Sequence, residues 1–350
     1  MTASICPNLT LACLGRRWRC GAGGHSDSTI PGPGVTESTG QLPAASGGGG
    51  AGLRPAGAAP ARGARAILFG VSERIRVACV QLTSRADKAA NLEKAERLVA
   101  RAASTGADVV LLPEKWNAIG GVDVLHAAAE PLEGGECVEA MSSWARTHGV
   151  TLVGGSITER REGREKLSNT CVVLDPEGHI AAVYRKIHLF DVEAGGHVYR
   201  ESDAEEPGEE PVLAEADGWP IGLTVCYDLR FPELYRILAL EGALLFTLPA
   251  HFTLHTGKDH WELLVRARAV ENQCYVAAAA QFGVTLPDRP PSFGRSLIVD
   301  PWGLVLAQAP DEETVISAEL DRSQLEDIRA RFPSLASRRP EAYRWPAPVV

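Results

Sequence analysis

Residues 221–250 read IGLTVCYDLRFPELYRILALEGALLFTLPA, and this stretch contains the repeating pattern of an α/β fold. Short apolar runs at 221–225 and 243–248 are typical of buried strands. Between them, residues 232–240 have apolar side chains at helical spacing after a proline, which favours the first turn of a helix. Strands that alternate with helices predict sheets covered by helices.

The same alternation continues on both sides of this stretch. Residues 73–350 show no internal repeat and no second break in composition, so we expect them to form one domain. Strands are predicted at 76–82, 108–112, 150–156, 170–174, 179–184, 275–280, 297–300 and 304–307. Helices are predicted at 88–104, 138–147, 259–271 and 320–332.

Residues 1–72 differ from the rest of the chain in composition. They contain 15 glycines, 6 prolines and six arginines, but only two acidic residues. Such a stretch does not supply enough apolar surface to offset the entropy of ordering it, so we expect a disordered extension. Its arginines follow the short apolar run instead of preceding it, which does not fit a secretory signal. A dispensable tail is preferred to an organellar transit peptide because of the glycine runs.

The net charge and the cysteine pattern restrict the class of protein. The formal charge is −9, which argues against nucleic acid or an anionic membrane as a partner. No window approaches the ~18 consecutive apolar residues of a membrane span. Eight cysteines without a CxxC pair indicate reduced thiols in a cytoplasmic protein. The nine histidines and eight cysteines form no ligand cluster, so neither a metal nor an organic cofactor is expected.

Cys226 lies where the strand at 221–225 gives way to a bend before Pro232. A thiol in such a bend can be exposed, and the backbone N–H groups of the turn can lower its pKa. A buried core cysteine is the competing interpretation, and the residue type alone would favour it. The polar run at 227–230 that follows favours the reactive interpretation.

Glu114 also lies directly after a predicted strand, which Pro113 brings to an end. The carboxylate is thereby placed at the carboxyl edge of the sheet, where the ligand sites of α/β proteins are found. Apolar neighbours such as Trp116 would raise its pKa and suit it to act as a general base. A surface ion pair with Lys115 is the alternative.

Lys186 follows the strand predicted at 179–184. In a partly enclosed cleft its ammonium would stabilise an oxyanion, whereas a solvated lysine beside Arg185 is the alternative. His188 competes as the base of a Cys/His pair, although a histidine near a strand end more commonly makes a structural hydrogen bond.

The order glutamate, lysine, cysteine, each after a strand, resembles the nitrilase (carbon–nitrogen hydrolase) superfamily. The surrounding residues match over nearly all of 73–350: VACVQLTS at 77–84, LLPEKW at 111–116, YRKIHLFD at 184–191, CYDLRFPELYR at 226–236, GKDHWELLVRARAVENQCYV at 257–276 and VDPWG at 299–303. The CYDLRFPELY form, with RRPEAY near the C-terminus, is most similar to the branch of omega-amidase and deaminated-glutathione amidase.

The resemblance implies a role for each reactive residue. Cys226 would be the nucleophile and Glu114 the general base, while Lys186 and the backbone N–H of Tyr227 would hold the oxyanion. The family often has a second glutamate after the lysine. Glu201, in YRES, is the candidate for it, and Glu193 is the alternative.

Two further residues are candidates for contacting the substrate, which carries a carboxylate in this branch. Arg230 would bind that carboxylate bidentately, or would instead form an ion pair with Glu233 that holds the turn. His251 occupies a position where the branch usually has a small residue, so it would change which acyl chain fits.

The resemblance implies a four-layer α-β-β-α sandwich without a metal or organic cofactor. A homodimer or larger homo-oligomer would form through the helix at 232–240 and the tail at 338–345. The implied reaction is hydrolysis of the terminal carboxamide of a small carboxylate-bearing molecule, deaminated glutathione or an α-keto acid amide, to an acid and ammonia through a thioester.

Three alternatives remain open. The first is another branch of the family, an N-carbamoyl amino acid hydrolase or a nitrilase. The second is a Cys/His hydrolase that uses His188 or His251. The third is a catalytically silent sandwich that acts as a binding module.

Overall fold

The computed structural model describes residues 72–344. Residues 1–71 of the expected extension, and residue 345 of the expected oligomerisation tail, lie outside this range. Within it, the helices are α1 (Lys88–Ser104), α2 (Val122–Ala128), α3 (Glu136–His148), α4 (Pro232–Leu240), α5 (Leu254–Asn272) and α6 (Arg322–Arg331). The strands are β1 (Arg74–Gln81), β2 (Val109–Leu111), β3 (Thr151–Val153), β4 (Ile157–Glu159), β5 (Ser168–Leu174), β6 (Ile180–Arg185), β7 (Asp191–Ala194), β8 (His197–Arg200), β9 (Leu213–Ala216), β10 (Trp219–Leu223), β11 (Leu245–Ala250), β12 (Tyr275–Ala280), β13 (Phe282–Gly283), β14 (Ser292–Phe293), β15 (Leu297–Val299), β16 (Val305–Gln308) and β17 (Thr314–Asp321).

Two large sheets pack face to face between two layers of helices. The first sheet has the order β17-β1-β2-β3-β5-β4, with β6 beside β5, and the second has the order β16-β15-β12-β11-β10-β9. Helices α1 and α3 pack on the outer face of the first sheet, and α4 and α5 pack on the second. The four-layer α-β-β-α sandwich expected from the sequence is confirmed.

Strand β1 shows how the sequence produces these layers. Successive side chains of a strand point to opposite faces of its sheet. Val77 and Cys79 therefore join the core between the two sheets, whereas Ala78 and Val80 pack with the outer helices. Because both faces are buried, the strand has a nearly continuous apolar run instead of an alternating pattern.

The sequence located most elements of the sandwich correctly, and α1, α4 and β12 have the predicted bounds. The helix predicted at 320–332 is wrong at its start. Residues 314–321 form β17, which pairs along its whole length with β1. Helix α6 begins only at Arg322, because the Asp321 side chain accepts hydrogen bonds from the backbone N–H groups of Ser323 and Gln324.

The strand predicted at 150–156 is also shorter than expected. It ends at Val153, since Gly155 has a φ of 60° and turns the chain before β4 begins.

Candidate active site

Glu114, Lys186, Cys226 and His251 line a single cavity of ≈ 510 Å³. Each of them follows the carboxyl end of a strand, β2, β6, β10 and β11 respectively. The two sheets present these ends at the same edge of the sandwich, so residues far apart in the sequence meet there. A cavity of this volume accommodates a small organic molecule.

A buried carboxylate holds the bend that carries Cys226. Cys226 has a φ of 47°, which is uncommon for a residue other than glycine. The surrounding structure must stabilise such a backbone conformation. Asp228 provides this support: its Oδ2 accepts hydrogen bonds from the Val225 N–H at 2.8 Å and from the Tyr184 hydroxyl at 2.7 Å. The predicted bend is therefore present, and Asp228 fixes its geometry.

The Cys226 side chain faces the cavity but is largely shielded from solvent. Its exposure is only 6%, so the expectation of an exposed thiol is wrong. Burial and the neighbouring Glu114 carboxylate raise the pKa of the thiol well above its usual value. Lys186 and the backbone N–H of His251 lower the pKa, but they are outweighed. The resting side chain is thus a neutral thiol that needs a base.

Lys186 lies between two carboxylates at the base of the cavity. Its Nζ donates hydrogen bonds to Glu114 Oε1 at 2.9 Å and to Glu201 Oε2 at 2.7 Å. The Asn169 amide also bridges these two glutamates, with Nδ2 at 2.9 Å and 3.2 Å from their Oε1 atoms. Burial disfavours the charged lysine, but the two carboxylates raise its pKa well above the usual value. The ammonium is therefore retained and fixed in position.

Of the two glutamates considered as partners of Lys186, the structure places Glu201 against it. The backbone N–H of Phe190 also donates to Glu201 Oε2 at 2.7 Å. Although burial opposes ionisation, Lys186 and Lys115 hold the pKa of Glu201 well below its usual value. Glu193 is exposed on β7 and does not line the cavity.

A second buried lysine, Lys115, completes this network. Lys115 Nζ lies 3.1 Å from Glu201 Oε1 and 2.9 Å from Glu205 Oε1. The predicted alternative of a surface Glu114–Lys115 ion pair is wrong, because Lys115 has a φ of 49° and directs its side chain elsewhere. Burial opposes its charge, but Glu205 and Glu201 raise its pKa.

Trp116 does not enclose Glu114 in the way the sequence suggested. Its indole packs against Trp144 with ring centroids 5.7 Å apart, in the core beneath α1 and α3, and it donates a hydrogen bond to the Gly154 carbonyl. The enclosure of Glu114 comes instead from Asn169 and Lys186.

The two histidines considered as bases occupy different environments. His188 Nδ1 lies 2.7 Å from Asp228 Oδ1, and its ring stacks on Phe231 at 3.6 Å, so it has a structural hydrogen bond and does not line the cavity. His251 does line the cavity, and its Nε2 lies 3.2 Å from Thr285 Oγ1. Burial lowers the pKa of His251 to about 4, so its imidazole is neutral near pH 7.

Arg230 and Tyr227 lie beside Cys226 in a small recess of ≈ 10 Å³, about the space of one water molecule. The Arg230 guanidinium lies over the Tyr227 and Phe252 rings, and two of its nitrogens are 3.4 Å from His260 Nδ1. Among residues 72–344 it forms no ion pair with Glu233. That predicted alternative is wrong, since stacking on aromatic rings holds the side chain instead.

The backbone N–H of Tyr227 belongs to the 3-10 turn Cys226–Arg230, in the position expected for it directly after the thiol residue. The first N–H groups of a helical turn have no partner within the turn and are available to a ligand.

Residues 76–330 match the family model described as carbon-nitrogen hydrolase. The chain belongs to this family. The omega-amidase NIT2 of Danio rerio is 40% identical over 274 residues, which cover 77% of this chain and 96% of the relative. Nit3 of Saccharomyces cerevisiae, described as a member of branch 10 of the nitrilase superfamily, superposes with a TM-score of 0.69 at 34% identity, covering 77% of this chain and 97% of that one.

A third similar protein shows the chemistry of a cysteine in this fold. It is a mutant of the amidase from Nesterenkonia sp. AN1, with covalent addition of the acetamide moiety of fluoroacetamide at the active-site cysteine. It has a TM-score of 0.60 and 28% identity, covering 77% of this chain and 95% of that one. The expected family is thus confirmed, and the chain is an amide-hydrolysing enzyme; the silent binding module is not supported.

Other expectations about this carbon–nitrogen hydrolase concern metals and membranes. Over residues 72–344, no group of three or more His, Cys, Asp or Glu side chains is arranged to hold a metal ion. No helix in the same range is both long enough and apolar enough to cross a membrane.

Replacing Glu205 with glutamine should reduce the pH dependence of stability. Burial raises the pKa of Glu205 to about 7, against the opposing charge of Lys115. An unfolded glutamate has a pKa of ~4.3. Between this pH and about pH 7, Glu205 is therefore protonated in the native state but ionised in the unfolded chain. The free energy of unfolding therefore falls by on the order of 2 kcal/mol as the pH rises from about 5 to about 7, and it levels off above that. Glutamine does not titrate, so Glu205→Gln should lack this fall.

Urea unfolding at about pH 5 and about pH 8 measures this effect. The matched control is Glu209→Gln, since Glu209 is an exposed glutamate of the same loop. An identical fall in stability for the wild type and Glu205→Gln would contradict the prediction.

Proposed function

We propose that this chain is a cysteine-dependent amidase that converts the terminal carboxamide of a small carboxylate-bearing substrate to an acid and ammonia. The observation that carries the proposal is the arrangement around Lys186. Its buried ammonium lies between Glu114 and Glu201, and Glu114 lines the same cavity as the Cys226 thiol. A base, a cation and a nucleophile are thereby held within one small site.

In the first half of the reaction, Glu114 accepts the proton of the Cys226 thiol while the sulfur attacks the amide carbon. The negative charge that develops on the amide oxygen is stabilised by the Lys186 ammonium and the backbone N–H of Tyr227. Glu114 then returns the proton to the amide nitrogen as the carbon–nitrogen bond breaks. Ammonia leaves, and the acyl group remains on Cys226 as a thioester.

In the second half, water takes the place of ammonia. Glu114 accepts a proton from the water, whose oxygen attacks the thioester carbon, and the same cation and N–H stabilise the oxyanion. The carbon–sulfur bond breaks, the thiolate regains its proton from Glu114, and the carboxylic acid is released. The residues needed for both halves lie in the described part of the chain, and no step requires a metal or an organic cofactor.

The position of Glu114 supports this mechanism over a Cys/His pair. Glu114 lines the cavity with Cys226 and its carboxylate raises the pKa of the thiol, whereas His188 is bound to Asp228 and lies outside the cavity. His251 approaches Cys226 through its backbone N–H, and its side chain is held by Thr285. Glu201 acts on the reaction through Lys186, by fixing the position of the ammonium.

The substrates that we propose are deaminated glutathione or an α-keto acid amide, because the omega-amidase relatives are 39–40% identical over nearly their whole length. Ammonia release tests this on α-ketoglutaramate, deaminated glutathione, glutamine, asparagine, an N-carbamoyl amino acid and an aliphatic nitrile. We expect turnover of a keto amide. Turnover of the carbamoyl compound or the nitrile alone would place the chain in another branch, and no release from any of them would contradict the proposal.

Replacing His251 with alanine should shift the substrate preference toward larger acyl groups. The imidazole lies between the main cavity and the recess beside Cys226, and it lines both. Its removal enlarges the space next to the thiol without removing a charge, because the group is neutral near pH 7. We expect kcat/KM for deaminated glutathione relative to α-ketoglutaramate to rise by about tenfold, which is the lower end of the effect of one methylene group in a hydrophobic pocket.

The control for this prediction is His179→Ala, since His179 is exposed and lies directly before the start of β6. An unchanged ratio of the two kcat/KM values in His251→Ala would show that this side chain does not determine the acyl group.

We further propose a homodimer in the cytoplasm. Ile237 and Leu240 on α4, and Leu263 on α5, are exposed apolar side chains on the outer helix layer, as a helix-to-helix interface requires. The five cysteines of the described residues are free, which fits a reducing compartment.

A further inference from the structure

The buried ion pairs of the site form one continuous chain of alternating charge. Lys186 lies between Glu114 and Glu201. Glu201 continues the chain, because its other oxygen, Oε1, lies 3.1 Å from Lys115 Nζ. Lys115 in turn lies 2.9 Å from Glu205 Oε1 and donates to Glu205 Oε2 at 3.1 Å. The proposed mechanism uses the inner part of this chain and leaves Lys115 and Glu205 without a part in the reaction.

The backbone directs Lys115 into this chain instead of toward solvent. Its φ of 49° lies in the left-handed region, which a residue with a side chain seldom adopts. The peptide is held on both sides: the Lys115 N–H donates to Ser156 Oγ at 3.0 Å, and the Glu114 carbonyl accepts from Gln281 Nε2 at 2.9 Å. A backbone conformation that costs free energy and is held this firmly is typical of a functional position.

Glu201 and Glu205 lie one turn apart on the same segment. The Glu205 N–H donates to the Glu201 carbonyl at 3.0 Å, so the two residues have the spacing of neighbours on a helical surface. Two carboxylates at this spacing repel each other when both are charged. Lys115 contacts both of them, and the Glu205 side chain is fully buried. Lys115 therefore supplies the positive charge that these two carboxylates share.

Glu205 is the member of the chain that changes its charge near neutral pH. The charged groups that face it are Lys115 after β2, Glu201 on its own segment and Lys186 after β6, while Leu167 before β5 pairs with it through the backbone. Burial raises the pKa of Glu205 to about 7, although Lys115 opposes the rise. With Glu205 protonated, the two lysines of the chain balance its other two carboxylates. Ionised Glu205 adds a negative charge that they do not balance.

We propose that Lys115 is a positioning residue that holds Glu201 in place against Lys186. The charge on Glu205 sets how much of the Lys115 charge reaches Glu201. Through Lys186, it thereby sets how readily the Cys226 thiol ionises. This inference rests on the proposed amidase function, to which it adds a positioning residue and a dependence on pH.

The sign of the effect follows from the order of the charges. When Glu205 is neutral, Lys115 acts on Glu201 alone, and less of the Glu201 charge is compensated by Lys186. The ammonium of Lys186, which lowers the pKa of the Cys226 thiol, is then more available to it. Ionisation of Glu205 reverses this and raises the pKa of the thiol.

The first test is the rate at which iodoacetamide alkylates Cys226 between about pH 5.5 and about pH 8.5, followed by mass spectrometry of the peptide that contains it. Only the thiolate reacts, so the rate of a thiol with a high pKa rises about tenfold per pH unit. We expect the rise in the wild type to flatten near pH 7, with an offset on the order of two- to tenfold between the two limbs. His251, with a pKa of about 4, does not titrate in this range.

Glu205→Gln should remove the flattening and give one straight line, because glutamine does not titrate. The matched control is Glu209→Gln, at an exposed position of the same loop, which should keep it. A straight line for the wild type would overturn the inference, and so would a flattening that survives in Glu205→Gln.

The second test is turnover of a keto amide by Lys115→Met. We expect kcat to fall on the order of ten- to a hundredfold, with a smaller change in KM, because Glu201 no longer fixes the Lys186 ammonium. Lys115→Arg, which keeps the charge, should recover part of kcat. Lys258→Met, at an exposed position of α5, is the control. A kcat for Lys115→Met within about twofold of the wild type would contradict the positioning role.

The double variant Lys115→Met with Glu205→Leu separates positioning from stability. Removal of one partner of a buried ion pair can unfold a protein, whereas apolar groups in place of both partners are commonly tolerated. The double variant should therefore be folded by urea unfolding, with a kcat as low as that of Lys115→Met, because Glu201 still lacks its second cation. A folded double variant with the kcat of the wild type would overturn the inference.

Alkylation needs no turnover, so the two proposals fail separately. A flattened profile that Glu205→Gln makes straight, in a protein that hydrolyses no amide, would support the coupling of Glu205 to Cys226 and contradict the amidase. Amide hydrolysis with a straight alkylation profile in the wild type would support the amidase and contradict the coupling.

Discussion

Replacing Cys226 with alanine should lower kcat for amide hydrolysis by at least about 10⁴-fold, which corresponds to more than about 5 kcal/mol of activation free energy. The expected loss is this large because the proposed thioester cannot form without the sulfur. The remaining groups would have to activate water for direct attack on an amide. Lys186 and the Tyr227 N–H remain in place, so the residual rate measures what oxyanion stabilisation alone contributes.

Ammonia release and intact-protein mass spectrometry measure this prediction together. The matched control is Cys171→Ala, because Cys171 is a buried cysteine of β5 in the core between the sheets and does not line the cavity. The wild type and Cys171→Ala should each accumulate a single adduct when an activated ester of a substrate is added, and Cys226→Ala should accumulate none. A Cys226→Ala protein that keeps a tenth of the wild-type kcat would exclude covalent catalysis at this residue.

The positions of the three reactive residues were predictable from the sequence because each depends on local chain direction. An apolar run that ends at Pro113, and another that ends before a bend and Pro232, identify strand ends. The strands before Glu114 and Cys226 belong to different sheets, however, so strand ends alone did not predict that these two residues meet, and only the resemblance to carbon–nitrogen hydrolases implied it. The structure places both in one cavity, with Lys186 between the two glutamates.

The partners of these residues were not predictable, because they depend on side-chain direction and on distant strands. Lys115 is adjacent to Glu114 in the chain, yet it pairs with Glu201 and Glu205. Asn169 is an ordinary polar residue near the start of β5, and only the antiparallel pairing of β5 with β6 brings it beside Lys186. No spacing rule connects these residues along the sequence.

Burial was the other property that the local pattern did not reveal. The charged run after Cys226 suggested an exposed turn, but Asp228 in that run is fully buried because it accepts hydrogen bonds from the turn and from Tyr184. Strand β17 was not predicted at all: residues 314–319 carried no prediction, and the helix predicted at 320–332 included the last two residues of this strand, which pairs with β1 along its length. A buried polar residue satisfied by its own turn is indistinguishable from an exposed one in a single sequence.

Replacing Glu114 with glutamine should have opposite effects on turnover and on thiol reactivity. As the proposed base in both halves of the reaction, Glu114 contributes about 10²- to 10⁴-fold to kcat, and glutamine cannot accept a proton. The Glu114 carboxylate, after burial, is also a cause of the raised pKa of the Cys226 thiol. Removing its negative charge while Lys186 keeps its positive charge should lower that pKa, so alkylation of Cys226 by iodoacetamide at a fixed pH should become faster.

The combination of the two rates distinguishes a base from a structural residue. Damage to the fold would change turnover and alkylation together, whereas loss of the base should slow ammonia release and accelerate alkylation. Glutamine can still accept hydrogen bonds from Lys186 and Asn169 through its amide oxygen, which keeps the cavity assembled. Glu209→Gln, at an exposed position, provides the control for both assays. A Glu114→Gln protein with kcat within tenfold of the wild type would show that another group takes the proton of Cys226.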